Sequence, residues 1–242
     1  MGTERFAGEI SIGVNGVLRY KLFGQEVFLT TTHIGMTLIT LTLLIAALLV
    51  NRAVRRADWR KQPGRFLNGA EMLVEAVDRF TLGNMGTEHG GAFANYIGTL
   101  FLFLMLSNMA GVFGLRSPTA DYGVTLALGL LTFFLIHYNG IRYQKAKHVT
   151  KLFRPFFLAP IQIIGEIAVP LSLSLRLFGN VLSGTVLIAL VYGLLPRVLL
   201  LVLPAFLHAY LDVFSGAVQT YVFCMLTMVF VAQTFDRRDE TL

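Results

Sequence analysis

The sequence is poor in charge, in cysteine and in tryptophan. Charged residues make up 14% of its 242 residues, while hydrophobic residues reach 55%; soluble domains carry roughly 25% charged residues. The single cysteine, Cys224, lies in an apolar run, so a disulfide framework and a cysteine-based metal site are excluded, and we expect it to serve packing. This composition excludes an ordinary soluble domain and indicates a polytopic membrane protein.

The sequence also argues against nucleic-acid binding and against an N-terminal signal peptide. The formal net charge of +6 comes from basic residues clustered beside apolar spans, where membrane topology explains them, and no basic surface interleaved with aromatics indicates nucleic-acid binding. The first 28 residues lack the basic start, apolar stretch and cleavage site of a signal peptide. We therefore expect residues 1–27 to be an external N-terminal segment of the mature chain.

The apolar segments predict an all-α protein with one membrane domain, residues 1–242, and about five crossings. The first span, 28–50, is long enough to cross about 30 Å of hydrocarbon, and the basic run after it marks the cytoplasmic side. Spans 92–115 and 122–142 form a hairpin around a Ser-Pro turn and lead to a second basic run. The N-terminus is then outside and the C-terminus cytoplasmic.

Segment 65–82 is too polar to span a membrane. Its apolar residues recur at helical spacing, while acidic and basic residues cover its other faces. We expect an amphipathic helix that lies along the membrane surface. Packing against other subunits is the alternative.

The C-terminal region, 155–235, predicts a long, inclined helical hairpin. Its first arm, Pro155 to Pro196, would measure about 60 Å if fully helical, roughly twice the hydrocarbon thickness. Such an arm must tilt, bend at its internal prolines or split in two. No internal repeat of the transporter type is visible.

Arg176 lies in the middle of this first arm, about 20 residues from either flanking proline. An arginine at the centre of a membrane helix costs about 2.5–3.5 kcal/mol on insertion scales. Either end of a continuous helix would be roughly 30 Å away, which is too far for the side chain to reach the headgroups. The position therefore indicates a functional cation.

Polar side chains recur at helical spacing on both arms. The first arm carries Ser172, Asn180 and Ser183 on the face of Arg176, and the second carries His208, Asp212, Ser215 and Gln219. Such stripes suit a wet ion path that ends near the membrane middle. For the serines, hydrogen bonding that only joins helices is an equal alternative. Such hydrogen bonding explains the carboxylate of Asp212 less well, because a carboxylate is a poor structural choice in lipid. His208 is an intermediate case, because a position near the outer interface would also explain it.

Glu166 is a second acidic residue, expected at a different depth in the membrane from Asp212. It precedes Arg176 by ten residues and so lies in the inner half of the membrane. Two half-paths that do not meet, with a fixed cation between them, move ions only if a third element shuttles between them. The rival hypotheses are a self-contained transporter or channel, which would need its own alternating site, and an intramembrane enzyme, for which the catalytic motifs are missing.

The run PLSLSLRLFGN, 170–180, followed by SG and GLLP, resembles subunit a of the membrane sector of rotary F-type ATP synthases. The likeness includes LSN at 106–108, SPTADYGVTLAL at 117–128 and VQTYVFCMLTMVFVA at 218–232. The resemblance implies a stator in a bacterial inner membrane. It would hold two half-channels against a rotating ring of c subunits whose carboxylates carry ions between them.

The same resemblance implies the partners and the ion. The partners are the c-ring, the b subunits of the peripheral stalk, the rest of the complex and the lipid bilayer. The chain would be no enzyme by itself, and we expect neither a cofactor nor a metal. Protons are the expected ion, with Na⁺ as the alternative, because the ring largely makes that choice.

The resemblance also implies residue roles. Arg176 matches the essential arginine of the family, Asn180 its nearby asparagine, and Gln219 a final-helix glutamine beside that arginine. Asn108 resembles the outer half-channel asparagine, and Glu166 fits an acidic position on the inner side.

Two positions depart from the family pattern. Many relatives carry histidine or glutamate at the positions of Asp212 and Thr185, whereas this chain has an aspartate and a neutral hydroxyl. We therefore expect Asp212 to be the main entry-side titratable group, with His208 and Ser215 as further ion-pathway residues.

Overall fold

The computed structural model describes residues 16–22, 25–57, 64–144, 159–194 and 203–235. Much of the expected external segment and of both basic runs lies outside these residues. So do the tip of the predicted C-terminal hairpin and the C-terminal tail.

A short β-hairpin precedes the membrane helices. Strands β1 (Gly16–Leu22) and β2 (Gln25–Thr30) pair antiparallel, with Arg19 opposite Phe28. Strand β2 runs directly into the first helix. This hairpin is not among the elements predicted from the sequence.

Five helical stretches of the described chain are long and apolar enough to cross a membrane. They are α1 (Thr31–Arg56), α3 (Thr87–Met109) with the 3₁₀ turn Ala110–Phe113, α4 (Tyr122–Gln144), α5 (Ala159–Leu194) and the C-terminal helix Leu203–Ala232. The prediction of an all-α polytopic membrane protein with about five crossings is confirmed. A second 3₁₀ turn, Pro118–Ala120, precedes α4.

The C-terminal helix consists of three parts. It begins as α6 (Leu203–His208), widens into a π-helical segment (Ala209–Ser215) and continues as α7 (Gly216–Ala232). The change of helix type falls on the residues expected to bear the polar stripe.

Helix α2 (Arg65–Met85) is amphipathic, as predicted, and its C-terminal half packs within the chain. Gly86, with φ of 78°, turns α2 back against α3, and the ring of Phe80 lies 5.1 Å from that of Tyr221 in α7. In its N-terminal half the apolar residues Phe66 and Met72 are exposed. Whether the membrane surface or another subunit covers them stays a prediction.

The buried core is formed by residues of α2, α3, α4, α5 and α7. Its fully enclosed side chains include Leu104, Leu177, Phe223 and Met228. In lipid such contacts act through close packing, because lipid tails are as apolar as leucine and helix association removes little surface from water. The core therefore depends on shape, and small residues at helix crossings matter.

Helices α4 and α5 cross closely at a glycine. A Cβ atom on Gly129 of α4 would lie 2.7 Å from the carbonyl oxygen of Pro170 and 3.4 Å from Cβ of Ser174. Pro170 is inside α5 and has no amide hydrogen, yet the helix continues unbroken for 36 residues, about 54 Å. Of the options left open by the sequence, a split of this arm is therefore excluded within 159–194.

We predict that Gly129→Ala weakens the helix bundle. The added methyl group must push α4 away from the backbone of α5, and overpacking of this kind costs about 1–3 kcal/mol. The midpoint of unfolding in denaturing detergent measures the effect on the solubilised protein. Gly83→Ala is the control, because no atom lies within 4 Å of a Cβ added there. Equal midpoints for the two variants would contradict the prediction.

Candidate functional site

A cleft of about 770 Å³ opens at one end of the helix bundle. Its walls come from the start of α1, the end of α3 with the turn that follows, the second half of α5 and the π-helical segment. The basic residues Arg52, Arg55 and Arg56 lie at the opposite end of α1. The polar lining includes Thr31, Asn108, Arg116, Asn180, Thr185 and Asp212.

Asp212 is the acidic group of this cleft. Its Oδ2 lies 2.7 Å from Nδ1 of His208, and the two side chains are 17% and 30% exposed. A carboxylate and an imidazole at hydrogen-bond distance can pass a proton between them. The pair therefore places proton-exchanging chemistry at the wall of the cleft.

Asn108 joins three elements beside the cleft. Its Nδ2 donates to the carbonyl oxygen of Gly216 and to Oγ1 of Thr220, both at 3.1 Å, and its Oδ1 accepts from Oγ1 of Thr119 at 2.9 Å. The side chain is 5% exposed. The predicted ion-pathway residue thus also ties α3 and the second 3₁₀ turn to α7.

The bonds continue along the turn between α3 and α4. The hydroxyls of Ser117 and Thr119 are 2.6 Å apart, and Ser117 donates to the carbonyl oxygen of Ser107 at 2.6 Å. The sequence predicts a Ser-Pro turn here but indicates no role for either hydroxyl.

Asn180 connects α5 to the π-helical segment. Its Oδ1 accepts a hydrogen bond from Oγ of Ser215 at 2.8 Å, and Asn180 also lines the cleft. Two of the predicted site residues are therefore brought together across the hairpin. Asn180 lies one helical turn beyond Arg176 on the same helix.

The π-helical segment changes the predicted polar stripe. A π-helix closes its hydrogen bonds from i to i+5, so it adds roughly one residue and turns the following helix by about 100° relative to a continuous α-helix. The expectation that four residues share one face assumed α-helical geometry throughout. Instead, Asp212 lines the cleft, Ser215 bonds to Asn180, and Gln219 is 8% exposed in α7.

Arg176 lies on an uncovered face of α5. Its neighbours Leu173 and Leu177 face the core and are 2% and 0% exposed, whereas Arg176 is exposed. Small residues continue this face at helical spacing: Gly165, Ala168, Ser172, Gly179 and Ser183 are exposed as well. Arg176 is therefore exposed on the surface of the bundle and is not part of the cleft lining.

Gln219 makes no contact with Arg176 through a hydrogen bond. Its Nε2 atom is buried without a hydrogen-bond partner among the described residues. Such a buried amide is unusual, because an unpaired donor costs about 1–3 kcal/mol. That Arg176 and Gln219 face each other stays a prediction.

Glu166 occupies a different level. It is partly exposed on α5 and does not line the cleft. Ten residues separate it from Arg176, about 15 Å along the axis. Phe178, just beyond Arg176, is the first residue of α5 that lines the cleft. The two acidic residues thus lie on opposite sides of Arg176 along the hairpin.

Comparison with known proteins decides the family. Residues 34–232 match the family model described as ATP synthase A chain. The chain belongs to this family.

Relatives within the ATP synthase A chain family cover most of the sequence. ATP synthase subunit a of Listeria welshimeri is 34% identical over 214 residues, which are 81% of this chain and 88% of the relative. The subunit a of Desulforamulus reducens is 35% identical over 204 residues, 82% and 77% of the two chains. A sodium-ion-specific subunit a from Propionigenium modestum is 42% identical over 154 residues, 56% and 52% of the two chains.

Membership of the ATP synthase A chain family defines the general role. The chain is a multi-pass membrane protein and an ion-translocating subunit, and it is no enzyme by itself. For that role the fold provides three features: the cleft that contains Asp212, the exposed cation of Arg176 and the second acidic residue, Glu166.

We predict that Asn108→Ala lowers the free energy of unfolding by about 1–3 kcal/mol, because it removes an amide with three buried hydrogen bonds. Asn84→Ala is the control, since the Asn84 amide donates to the carbonyl oxygen of Phe80 in its own helix. Both variants are compared by the midpoint of unfolding in denaturing detergent. An Asn108 variant no weaker than the Asn84 variant would show that the junction contributes little.

Proposed function

We propose that the chain is the stator subunit of the membrane sector of an ATP synthase. In this role it holds two offset half-channels against a rotating c-ring, and ion flow through them is coupled to ATP synthesis or hydrolysis. The observation that carries the proposal is the position of Arg176: an exposed cation on α5, between an acidic cleft on one side and Glu166 on the other.

The cleft would be the outer half-channel. It opens at the end of the bundle opposite to the basic residues of α1, and in a bacterial inner membrane the basic end is cytoplasmic. The N-terminus is then outside and the C-terminus inside. Asp212 and His208 would exchange the ion, while Asn108, Asn180 and Ser215 would shape the polar wall.

Glu166 would mark the inner half-channel. A carboxyl group on the cytoplasmic half of α5 offers a second exchange point, about 15 Å from the level of Arg176. Glu166 is not part of the cleft lining. In this proposal the two half-channels do not join within the chain, and the ring carboxylate carries the ion between their two levels.

The c-ring would pass along the uncovered face of α5. Small side chains there allow another helix to approach closely, as they do at helix crossings in membranes. A guanidinium keeps its charge at any accessible pH, so it favours an ionised ring carboxylate beside it and opposes the passage of a protonated or ion-loaded one. Arg176 would thereby separate the two half-channels.

The b subunits of the peripheral stalk are the second proposed partner. The exposed apolar residues in the N-terminal half of α2, Phe66 and Met72 among them, offer a surface beside the basic end of α1. Binding there would hold the stator against the torque of the ring.

Sodium ions are the alternative to protons, and the 42% identity to a sodium-ion-specific relative favours testing them. Vesicles containing the complex separate the two ions. Proton coupling predicts ATP-driven acidification of the vesicle interior in sodium-free buffer. Sodium coupling predicts ²²Na⁺ uptake that persists when a protonophore abolishes any pH gradient.

We predict that Arg176→Ala abolishes ion pumping while the complex stays assembled. The expected effect is a loss of at least about a hundredfold in ATP-driven transport. Without the fixed cation of Arg176, a ring carboxylate can carry its ion between the half-channels in either direction, so ATP hydrolysis no longer drives net transport. Arg176→Lys should also be strongly impaired, since an ammonium in a dry site can lose its proton. Transport into inverted vesicles is measured at equal abundance of the complex.

Arg79→Ala serves as the control, because Arg79 forms an exposed ion pair with Glu75 on α2. Its pumping should match that of the unaltered complex. Native pumping by Arg176→Ala would mean that the arginine is structural. Failure of the chain to copurify with ring subunits would instead favour a self-contained transporter.

We predict that Asp212→Asn slows passive ion flow through the membrane sector by at least about tenfold, because an amide cannot exchange a proton. Asp78→Asn in the C-terminal half of α2 is the matched control, because Asp78 lies outside the cleft, and it should leave the flow unchanged. Potential-driven proton uptake into vesicles stripped of the catalytic sector measures the rate directly. An unchanged rate for Asp212→Asn would remove Asp212 from the ion path.

A further inference from the structure

We infer that Gly111 is a positioning residue for Asp212: its missing side chain leaves a notch in the turn after α3, and the Asp212 carboxylate fills this notch. A Cβ atom on Gly111 would lie 2.6 Å from Oδ2 of Asp212, 2.9 Å from Cγ and 3.2 Å from Oδ1. The whole carboxylate therefore occupies the space that a side chain at position 111 would need. The inference rests on the proposed function, in which Asp212 exchanges the translocated ion.

Position 111 requires a glycine because a side chain there has no space, and not because of its backbone conformation. Gly111 belongs to the 3₁₀ turn Ala110–Phe113, and the positive-φ glycines of the described chain are Gly86 and Gly114. Any residue could adopt the backbone angles of Gly111. Only the contact with Asp212 requires that the Cβ be absent.

The carboxylate has two close neighbours. The Cβ position of Gly111 and Nδ1 of His208 both lie next to Oδ2, the first at 2.6 Å and the second at 2.7 Å. The space at Gly111 therefore allows the carboxylate to stay within hydrogen-bond distance of the imidazole, as proton transfer between them requires. The notch thus holds His208 and Asp212 together as one proton-exchanging pair.

The charges around this pair are few. Arg116, from the turn after α3, is the other charged residue of the described cleft lining, and His208 is the titratable neighbour on the same helix. The facing residues Thr31 of α1, Asn180 and Thr185 of α5, and Asn108 of α3 are neutral. A displacement of the carboxylate therefore changes its distance to both His208 and Arg116, and with it the pH dependence of ion exchange.

Gly111→Ala tests the notch in the assembled complex. The methyl group must push the carboxylate away, and a misplacement of about 1 Å can lower a rate by about a hundredfold. We expect passive proton flow into stripped vesicles to fall about ten- to hundredfold, and its dependence on luminal pH to shift. Gly91→Ala on α3, with no atom within 4 Å of the added Cβ, should leave both unchanged.

A double variant restores a carboxylate in the same space but attaches it to position 111. Because the Cβ direction of Gly111 points at the carboxylate, Gly111→Asp combined with Asp212→Gly puts an acid into the same space from the turn after α3. We expect proton flow clearly above that of Asp212→Gly alone. This variant also decides the matter if Gly111→Ala fails to assemble, since it keeps the local volume.

The outcomes separate this inference from the proposed function. If Asp212→Gly abolishes flow while Gly111→Ala keeps both the native rate and the native pH profile, the notch has no positioning role. A double variant no better than Asp212→Gly also overturns it. If Asp212→Gly itself leaves flow unchanged, the proposed function of Asp212 fails first, and the inference falls with it.

Discussion

The constraint on which the rest of this structure depends is that hydrocarbon offers no hydrogen bonds to a polar group. Most polar side chains in the described helices obey it within the chain: Asn108 bonds to α7 and the second 3₁₀ turn, and Asn180 bonds to Ser215. Exposed threonines of α1, such as Thr37, donate to backbone carbonyls one turn earlier. The exceptions therefore carry the information about function.

Arg176 and Gln219 are the exceptions that matter most. One is an exposed cation on an uncovered membrane face, and the other is a buried amide whose Nε2 has no partner in the described chain. Each such group in a folded protein needs an explanation. In the proposed function, a carboxylate on a passing c subunit would pair with Arg176.

Much of this could be predicted from the sequence. The five apolar spans, the amphipathic α2 and the placement of Arg176 within a long helix follow from hydropathy and spacing, because the bilayer imposes a length and penalises charge. The β-hairpin and the π-helical segment could not be predicted. Local propensity does not distinguish a π turn from an α turn in an apolar run, and packing against α3 and α5 selects it.

By itself, then, the sequence determined the fold class and the family, and it marked the polar residues from which a site could be built. Tertiary structure decided how those residues are used. It pairs His208 with Asp212 in a cleft, turns Gln219 into the core and leaves Arg176 uncovered. The physical reason is that spacing along one helix fixes only which residues share a face, whereas what that face meets depends on crossings such as that of Gly111 with Asp212, which involve distant parts of the chain.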